Sequence, residues 1–357
     1  VSGRAERLIA LLPEAGVDAV LVTNIVNVRY LTGFTGSSAL AVLGPGTRAF
    51  VTDFRYVERA ADEVDPSYER RRARTDLIES IAEVLPIDPL RLGFEEGVVT
   101  VREHARLREV LPDRVELVAA GALVEQLRAV KEPEELEAIR AAASLADAAL
   151  EQLLGQGLGG RTERELARTL DSLMLDLGAE SPSFETIVAA GPHGALPHAT
   201  PRDVEVRRGD MVVIDWGARL GGYCSDCTRT VSVGDPDPLA REVYELVLRA
   251  QLAALDAVRA GASTREVDAT ARGVIEAAGH AEHFGHGVGH GVGLDVHEAP
   301  RVSPRSDQPL QAGNVVTIEP GVYLPGELGV RIEDLVSVRE DGCEILTSIP
   351  KQLTATD

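Results

Sequence analysis

Lysine is almost missing from this 357-residue chain: only Lys131 and Lys351 carry it, and arginine supplies the rest of the basic charge. Genome composition and a warm habitat would each produce that bias. Basic charge as a whole is in deficit, and the formal net charge is −21. A nucleic acid or an anionic membrane is a poor partner for such a chain. The one basic cluster, Arg70, Arg71, Arg72 and Arg74, reads as a solvated face. Cysteine is scarce as well. Three of them build no disulfide framework, so the expected setting is cytoplasmic. No apolar run approaches the roughly 18 residues that would suggest a membrane span. The opening VSGRAERLIALLPEAG lacks the unbroken apolar stretch of a secretory signal and reads as an amphipathic helix with Ser2 as its cap.

What is present suits buried cores, with 44% hydrophobic residues. The length favours two domains. Residues 17–23, 39–43 and 48–52 read as strands. Residues 54–63, 76–85 and 101–110 read as helices. Residues 27–38 (NVRYLTGFTGSS) read as a polar, Gly-punctuated loop, of the sort that can border a binding site. Strands alternating with helices predict an α/β domain over 1–122. A long helical pattern follows and is broken at KEPEE, where Pro133 suits the first turn of a new helix. The second domain, 123–357, then has a capping-box helix from Thr162 with Glu165, and two more helices near 239–258 and 263–278 joined through Gly261 as a C-cap. Two helices before the central strands and two after hint at a duplicated half, though no sequence repeat is clear.

The chemistry is concentrated in that second domain. MVVIDWGARLGGYCSDCTR, starting at Met211, reads as a β-hairpin around a Gly-rich turn at 220–222. Counting outward sets Asp215 opposite Asp226, and opposed Cβ atoms lie roughly 4.5–5.5 Å apart. Such carboxylates repel unless something positive sits between them. VVTIEPGVYLPGELGVRIEDLVSV repeats the device: counting from Gly326 sets Glu319 opposite Glu333. A salt bridge from Arg331 to one of these acids is the plain alternative. Between the hairpins, HFGHGVGHGVGLDVHE holds His283, His286, His290 and His297 among glycines. The strand–turn–helix context of a phosphate-binding glycine loop is missing there. Four carboxylates and an imidazole suit a pair of divalent ions such as Mn²⁺, Co²⁺ or Zn²⁺. Cys224 and Cys227 form a C-x-x-C, but a spacing of three on a strand points them to opposite faces, so one metal cannot easily take both. They read as buried fillers, with a redox role as the alternative. No G-x-S-x-G elbow offers a serine nucleophile.

The motifs LPHA, IDWG, SDCTRT, GHGVGH, LDVHE, TIEPG and RIED, in this order, resemble the metallopeptidases of the pita-bread fold. NVRYLTGFTGSS followed by VTDFRY resembles the creatinase-type N-terminal domain of their proline-specific branch. The resemblance implies a creatinase-like α/β domain (1–122) and an α+β pita-bread catalytic domain (123–357). It implies two metal ions on Asp215, Asp226, His290, Glu319 and Glu333, with Glu319 also shuttling a proton from a bridging hydroxide or water that attacks the peptide bond. It further implies that His198, His286 and His297 line the substrate site, with His198 and His297 aiding catalysis, and that Arg331 stands beside the acids and belongs to the substrate-binding set. His193 and His283 match no family role and read as structural or surface residues. Arg301, just after His297, is placed like the arginine that binds the substrate proline's carboxylate in prolidases. A surface arginine is the plain reading of it. The expected activity is therefore Xaa-Pro dipeptidase, with aminopeptidase P as the alternative, acting on a proline-containing dipeptide or short peptide, in a homodimer where one subunit's N-terminal domain closes the other's site. A non-catalytic protein on the same fold, or a metal hydrolase of another C–N bond, are the rival readings.

Overall fold

The computed structural model describes residues 3–357; the expected cap at Ser2 lies outside them. Contacts divide the chain into a first unit ending at Arg128 and a second, Ala129–Asp357. The division falls inside a helix, Leu123–Ala129, at 128 rather than at the 122 drawn from the sequence.

The first unit is built on a six-stranded sheet of β1 (Ala19–Val22), β2 (Ala39–Gly44), β3 (Thr47–Thr52), β4 (Glu69–Arg72), β5 (Leu90–Phe94) and β6 (Val115–Ala119), in the order β4-β3-β2-β1-β5-β6. The β1–β2 and β2–β3 pairs are antiparallel and the other three parallel. Central β1, AVLV, is buried at every position, as expected of a strand covered on both faces. Leu21, Val42, Val51, Leu92 and Leu107 share one core with it.

Two expectations fail in this unit. Residues 27–38 are not all loop. After α1 (Arg4–Leu11), a second helix, α2, runs Ile25–Thr32. The Asn24 side chain accepts from Val26 N–H at its start, and Gly33 closes it at φ 85°. The stretch looks polar because Asn27 lies inside it, yet Asn27 is fully buried and bonds Glu95, Glu125 and Arg128. The second failure is residues 76–85, which form only a 3-10 turn, Glu79–Glu83. Pro86 disfavours the helical conformation at the residue before it.

The second unit repeats one plan twice. In its first half, α6 (Pro133–Gly155) and α7 (Glu163–Asp176) cover a sheet that contains β8 (Ile187–Ala190), β9 (Met211–Trp216) and β12 (Cys227–Val233). Leu150, Leu166, Leu170, Val212, Ile214 and Trp216 form that core. In its second half, α8 (Pro238–Ala257) and α9 (Thr264–Ala277) cover a sheet with β13 (Gly289–Gly291), β14 (Glu298–Val302), β15 (Val315–Ile318) and β18 (Asp334–Arg339). Val247, Ala250, Val267, Val316, Ile318 and Val336 form that one. Pro133 and the Thr162–Glu165 capping box sit where expected. Gly261 lies past the end of α8, whose C-cap is Val258. Among the described residues no helix is long and apolar enough to cross a membrane.

Candidate metal centre

Each half contributes one hairpin to a common cavity. In the first, β9 and β12 set Asp215 opposite Thr228 and Trp216 opposite Cys227. Asp226 is therefore not directly opposite Asp215 but two residues further along. The turn explains the shift: Gly221 and Gly222 both have positive φ (59° and 84°), so a two-residue turn is centred one residue later than the count assumed. A two-residue slip keeps every side chain on its own face, so Asp226 still points with Asp215. In the second hairpin, Ile318 faces Asp334 and, further toward the turn, Gly321 faces Arg331. Both pairs keep the register that sets 319 against 333.

The acids converge. Asp215, Asp226 and Glu333 offer carboxylate oxygens within 4.8 Å of one another. His290 Nε2 lies 3.6 Å from Asp226 Oδ2 and 3.3 Å from Glu319 Oε1. His290 reaches them from β13, threaded between β14 and β15. A Cβ at Gly289 would sit 1.9 Å from Thr317 O, and one at Gly291 would sit 2.2 Å from Ala299 O, so only glycine fits on either side. His290 Nδ1–H donates to Gly291 O (3.1 Å), so Nε2 is the nitrogen facing the acids: here its proton goes to Glu319, and losing that proton would free the lone pair a metal ligand needs.

The electrostatics point the same way. Burial, then the charges of Glu333, Asp215 and Glu319, hold the Asp226 carboxyl well above the usual range. Burial, then Glu319 and Asp215, do the same to Glu333. Burial raises Asp215 too, against the pull of Arg331. Glu319 goes the other way: burial opposes its ionisation, but the hydrogen bond and charge of His290 bring it down to about 2. His290 is raised in turn, because Glu319 outweighs burial. One arginine and one imidazolium do not neutralise four carboxylates, and buried Asp215 Oδ1 and Glu333 Oε1 have no hydrogen-bond partner. Oxygen donors buried without partners cost free energy unless a cation takes them. The residues fit a divalent metal centre.

Three supporting residues were not read from the sequence. Thr228 Oγ1 donates to Glu333 Oε2 (2.7 Å) and accepts from Arg331 Nε (2.9 Å). Thr317 Oγ1 donates to Glu319 Oε1 (3.1 Å). Tyr323 OH accepts from Arg331 Nη1 (3.0 Å) and donates to His286 Nε2 (2.9 Å), since His286 Nδ1–H is used on Gly287 O. The only available signal was spacing: Thr228 is two residues from Asp226 and Thr317 two from Glu319, each on its acid's face.

The cavity has a volume of about 620 Å³, and Phe184, Ile187, Pro197 and Ala199 supply apolar wall. His198, His286, His297, Arg301 and Arg331 also line it. Arg331 is not free for substrate. It is buried and gives four of its five donors to Asp215 (2.6 Å), Thr228, Tyr323 and Pro197 O. His286 likewise spends both ring nitrogens on the protein. His198 and His297 are exposed to the cavity. The His297 ring lies 4.3 Å from that of His290, and burial, then His290, lower its pKa. His193 is structural, held by Glu163 at 3.0 Å, and His283 pairs with His280. Cys224 and Cys227 are free, buried, and packed in different cores.

This donor set on a pita-bread scaffold defines a metallopeptidase. Residues 137–340 match metallopeptidase family M24, and residues 4–130 match the creatinase/prolidase N-terminal domain. The chain belongs to metallopeptidase family M24. It is 41% identical over 351 residues to an uncharacterized peptidase of Bacillus subtilis, covering 98% of this chain and 99% of that one. It is 36% identical over 359 residues to an Xaa-Pro dipeptidase of Pyrococcus furiosus, at 98% and 99% coverage. Among solved structures, an Xaa-Pro dipeptidase from Bacillus anthracis is similar with a TM-score of 0.95, 40% identity and 99% of each chain covered. An X-Pro aminopeptidase from Thermotoga maritima is similar with a TM-score of 0.89, 39% identity, and 99% and 100% covered.

Proposed function

We propose that the chain is an Xaa-Pro dipeptidase whose Asp215, Asp226, His290, Glu319 and Glu333 hold two divalent ions, manganese foremost, with cobalt or zinc as alternatives. Ions bound there supply a nucleophilic water near neutral pH and polarise the scissile carbonyl. The chain's own groups do the rest. Glu319 accepts from Thr317 Oγ1 at its Oε1 (3.1 Å). Its Oε2 is left to take a proton from the attacking water and pass it to the leaving proline nitrogen. His198 and His297 orient the substrate carbonyl and donate to the oxygen that gains charge. Tyr323 and Arg331 hold His286 and Asp215 in place and touch no substrate.

The observation that carries the dipeptidase reading is Arg301. It stands opposite His290 in the β13–β14 register, lines the cavity, and has no hydrogen-bond or ion-pair partner among the described residues. A free guanidinium beside the reacting centre suits the carboxylate of a C-terminal proline. The likeness to the Pyrococcus furiosus and Bacillus anthracis dipeptidases supports it. The second reading, aminopeptidase P, draws on the Thermotoga maritima neighbour. A complete set of donors argues against a non-catalytic relative. A homodimer in the cytoplasm is part of the proposal, and sedimentation velocity checks the assembly. The deciding experiment is Mn²⁺-supplemented hydrolysis of Ala-Pro against Ala-Pro-Ala, with and without Arg301→Ala. Preference for the dipeptide, weakened at least tenfold by the substitution, supports a dipeptidase. Equal release of Ala from the tripeptide by both proteins, with little cleavage of Ala-Pro by either, makes it an aminopeptidase P.

A further inference from the structure

A second arginine faces the same cavity. Beyond β14, Ser303 and Arg305 continue the line of alternate residues begun by His297 and Arg301, and all four line the cavity. The even-numbered Val302 goes instead into the core, fully buried. Ser306 N–H donates to Ser303 O (3.1 Å), so Arg305 sits within a hydrogen-bonded turn rather than on a loose tail. Position along this wall is fixed by register. Arg301 is opposite His290 and Val302 opposite Gly289, and a Cβ at Gly287 would meet Ser303 at 2.7 Å. Moving from Arg301 to Arg305 therefore moves away from the acid cluster.

Arg305 is exposed, and like Arg301 it has no hydrogen-bond or ion-pair partner among the described residues. Acids are not lacking in this chain, whose net charge is −21. The nearest ones in sequence are committed elsewhere. Glu298 is held by Lys131 in a pair whose side chains are 5% and 1% exposed. Asp307 pairs with Arg265 at 3.1 Å and accepts from Ser263 Oγ at 2.7 Å. Two guanidiniums thus face one substrate cavity with the acids nearest them in sequence already paired, and Glu185 is, among the described residues, the one acid outside the metal cluster that lines that cavity; unpaired guanidiniums leave a site open for an incoming anion.

We infer that Arg305 is a second carboxylate-binding residue, one substrate residue further from the acid cluster than Arg301. On the reading above, Arg301 takes the carboxylate of an Xaa-Pro dipeptide. Adding one residue after proline carries the free C-terminus about 3.3–3.6 Å onward, toward Arg305, whose long side chain and place in the Ser303–Ser306 turn must close the rest of the four-residue separation from Arg301. The chain then accepts Xaa-Pro-Yaa tripeptides as well as dipeptides and holds each by its terminal carboxylate.

The test measures kcat/KM of the Mn²⁺-loaded protein on Ala-Pro, Ala-Pro-Ala and Ala-Pro-Ala amide, for wild type, Arg305→Ala and Arg305→Lys. In Arg305→Ala the ratio of tripeptide to dipeptide kcat/KM falls about tenfold, chiefly through KM, as expected for a lost charge-assisted hydrogen bond. Arg305→Lys recovers part of it. The amide, which has no carboxylate, is cleaved alike by wild type and Arg305→Ala. An unchanged ratio, an equal loss on acid and amide, or a wild type that cleaves Ala-Pro but not Ala-Pro-Ala overturns the second subsite and leaves the dipeptidase reading standing. A wild type inert on every Xaa-Pro substrate overturns both.

Discussion

Thr228→Val removes one hydroxyl and nothing else of consequence, which makes it an informative perturbation of the metal centre. Thr228 is fully buried and faces Asp215 across the hairpin. Its hydroxyl orients Glu333 at 2.7 Å and is itself fixed by Arg331 at 2.9 Å. Valine keeps the volume and the strand preference but leaves the carboxylate and the guanidinium each short of a partner. A hydrogen bond to a charged group contributes about 1.5–3 kcal/mol. The two bonds share one hydroxyl and are not additive, so the expected loss of stability is about 3 kcal/mol. For a unit of this size that lowers the unfolding midpoint by roughly 6–12 °C. Metal affinity falls further than geometry alone would indicate, because groups that orient a ligand typically change affinity about 10–100-fold. The assay is a Mn²⁺ titration of Ala-Pro hydrolysis, with thermal unfolding of the metal-free protein alongside, and Thr228→Ser as the variant that restores both. A Mn²⁺ midpoint within twofold of wild type would refute the role given to Thr228.

Other consequences follow from the same geometry. Gly291→Ala places a Cβ 2.2 Å from the Ala299 carbonyl; the β13–β14 pairing must open, and Mn²⁺-dependent activity should drop at least tenfold while far-UV circular dichroism stays native-like. Glu163 gives a pH signature. Burial raises its pKa, but Arg202, the backbone N–H groups of Ala190 and Arg202, and His193 outweigh it, and the folded pKa lies below the ordinary value. Its stabilisation is thus fully present above the unfolded pKa of about 4.3 and is lost as pH falls through the folded one. The difference in unfolding midpoint between wild type and Glu163→Gln should be largest near pH 7 and shrink toward pH 3; a constant difference would show that Glu163 acts through shape alone.

Much of the centre was legible because strand parity is robust. The count around Gly326 set Glu319 against Glu333, and that register runs through both ladders that flank them. The count around the first turn was off by two, yet parity kept Asp215 and Asp226 on one face. Helix α2 was hidden because sequence polarity stood in for exposure: Asn27 is polar but buried, paired with Glu95 and Arg128. Arg331 was legible as standing beside the acids, but Tyr323 and the bonds of Arg331 to Tyr323 and Pro197 were not, since they join residues 323, 331, 286 and 197 through contacts that no local pattern encodes. For the same reason His286 and Arg331 read as substrate-facing in sequence, whereas their donors and acceptors are spent on the protein.

Under the proposed function, Asp215, Asp226, His290, Glu319 and Glu333 hold the ions on which peptide hydrolysis depends. Equilibrium dialysis against Mn²⁺, with bound metal and Ala-Pro hydrolysis measured on the same samples, tests it most directly. The expected result is two ions per chain with activity rising as they bind, and an Asp226→Asn protein that is folded, short of metal and inactive. Full Ala-Pro hydrolysis by metal-free wild type, or wild-type metal content and turnover in Asp226→Asn, would contradict it.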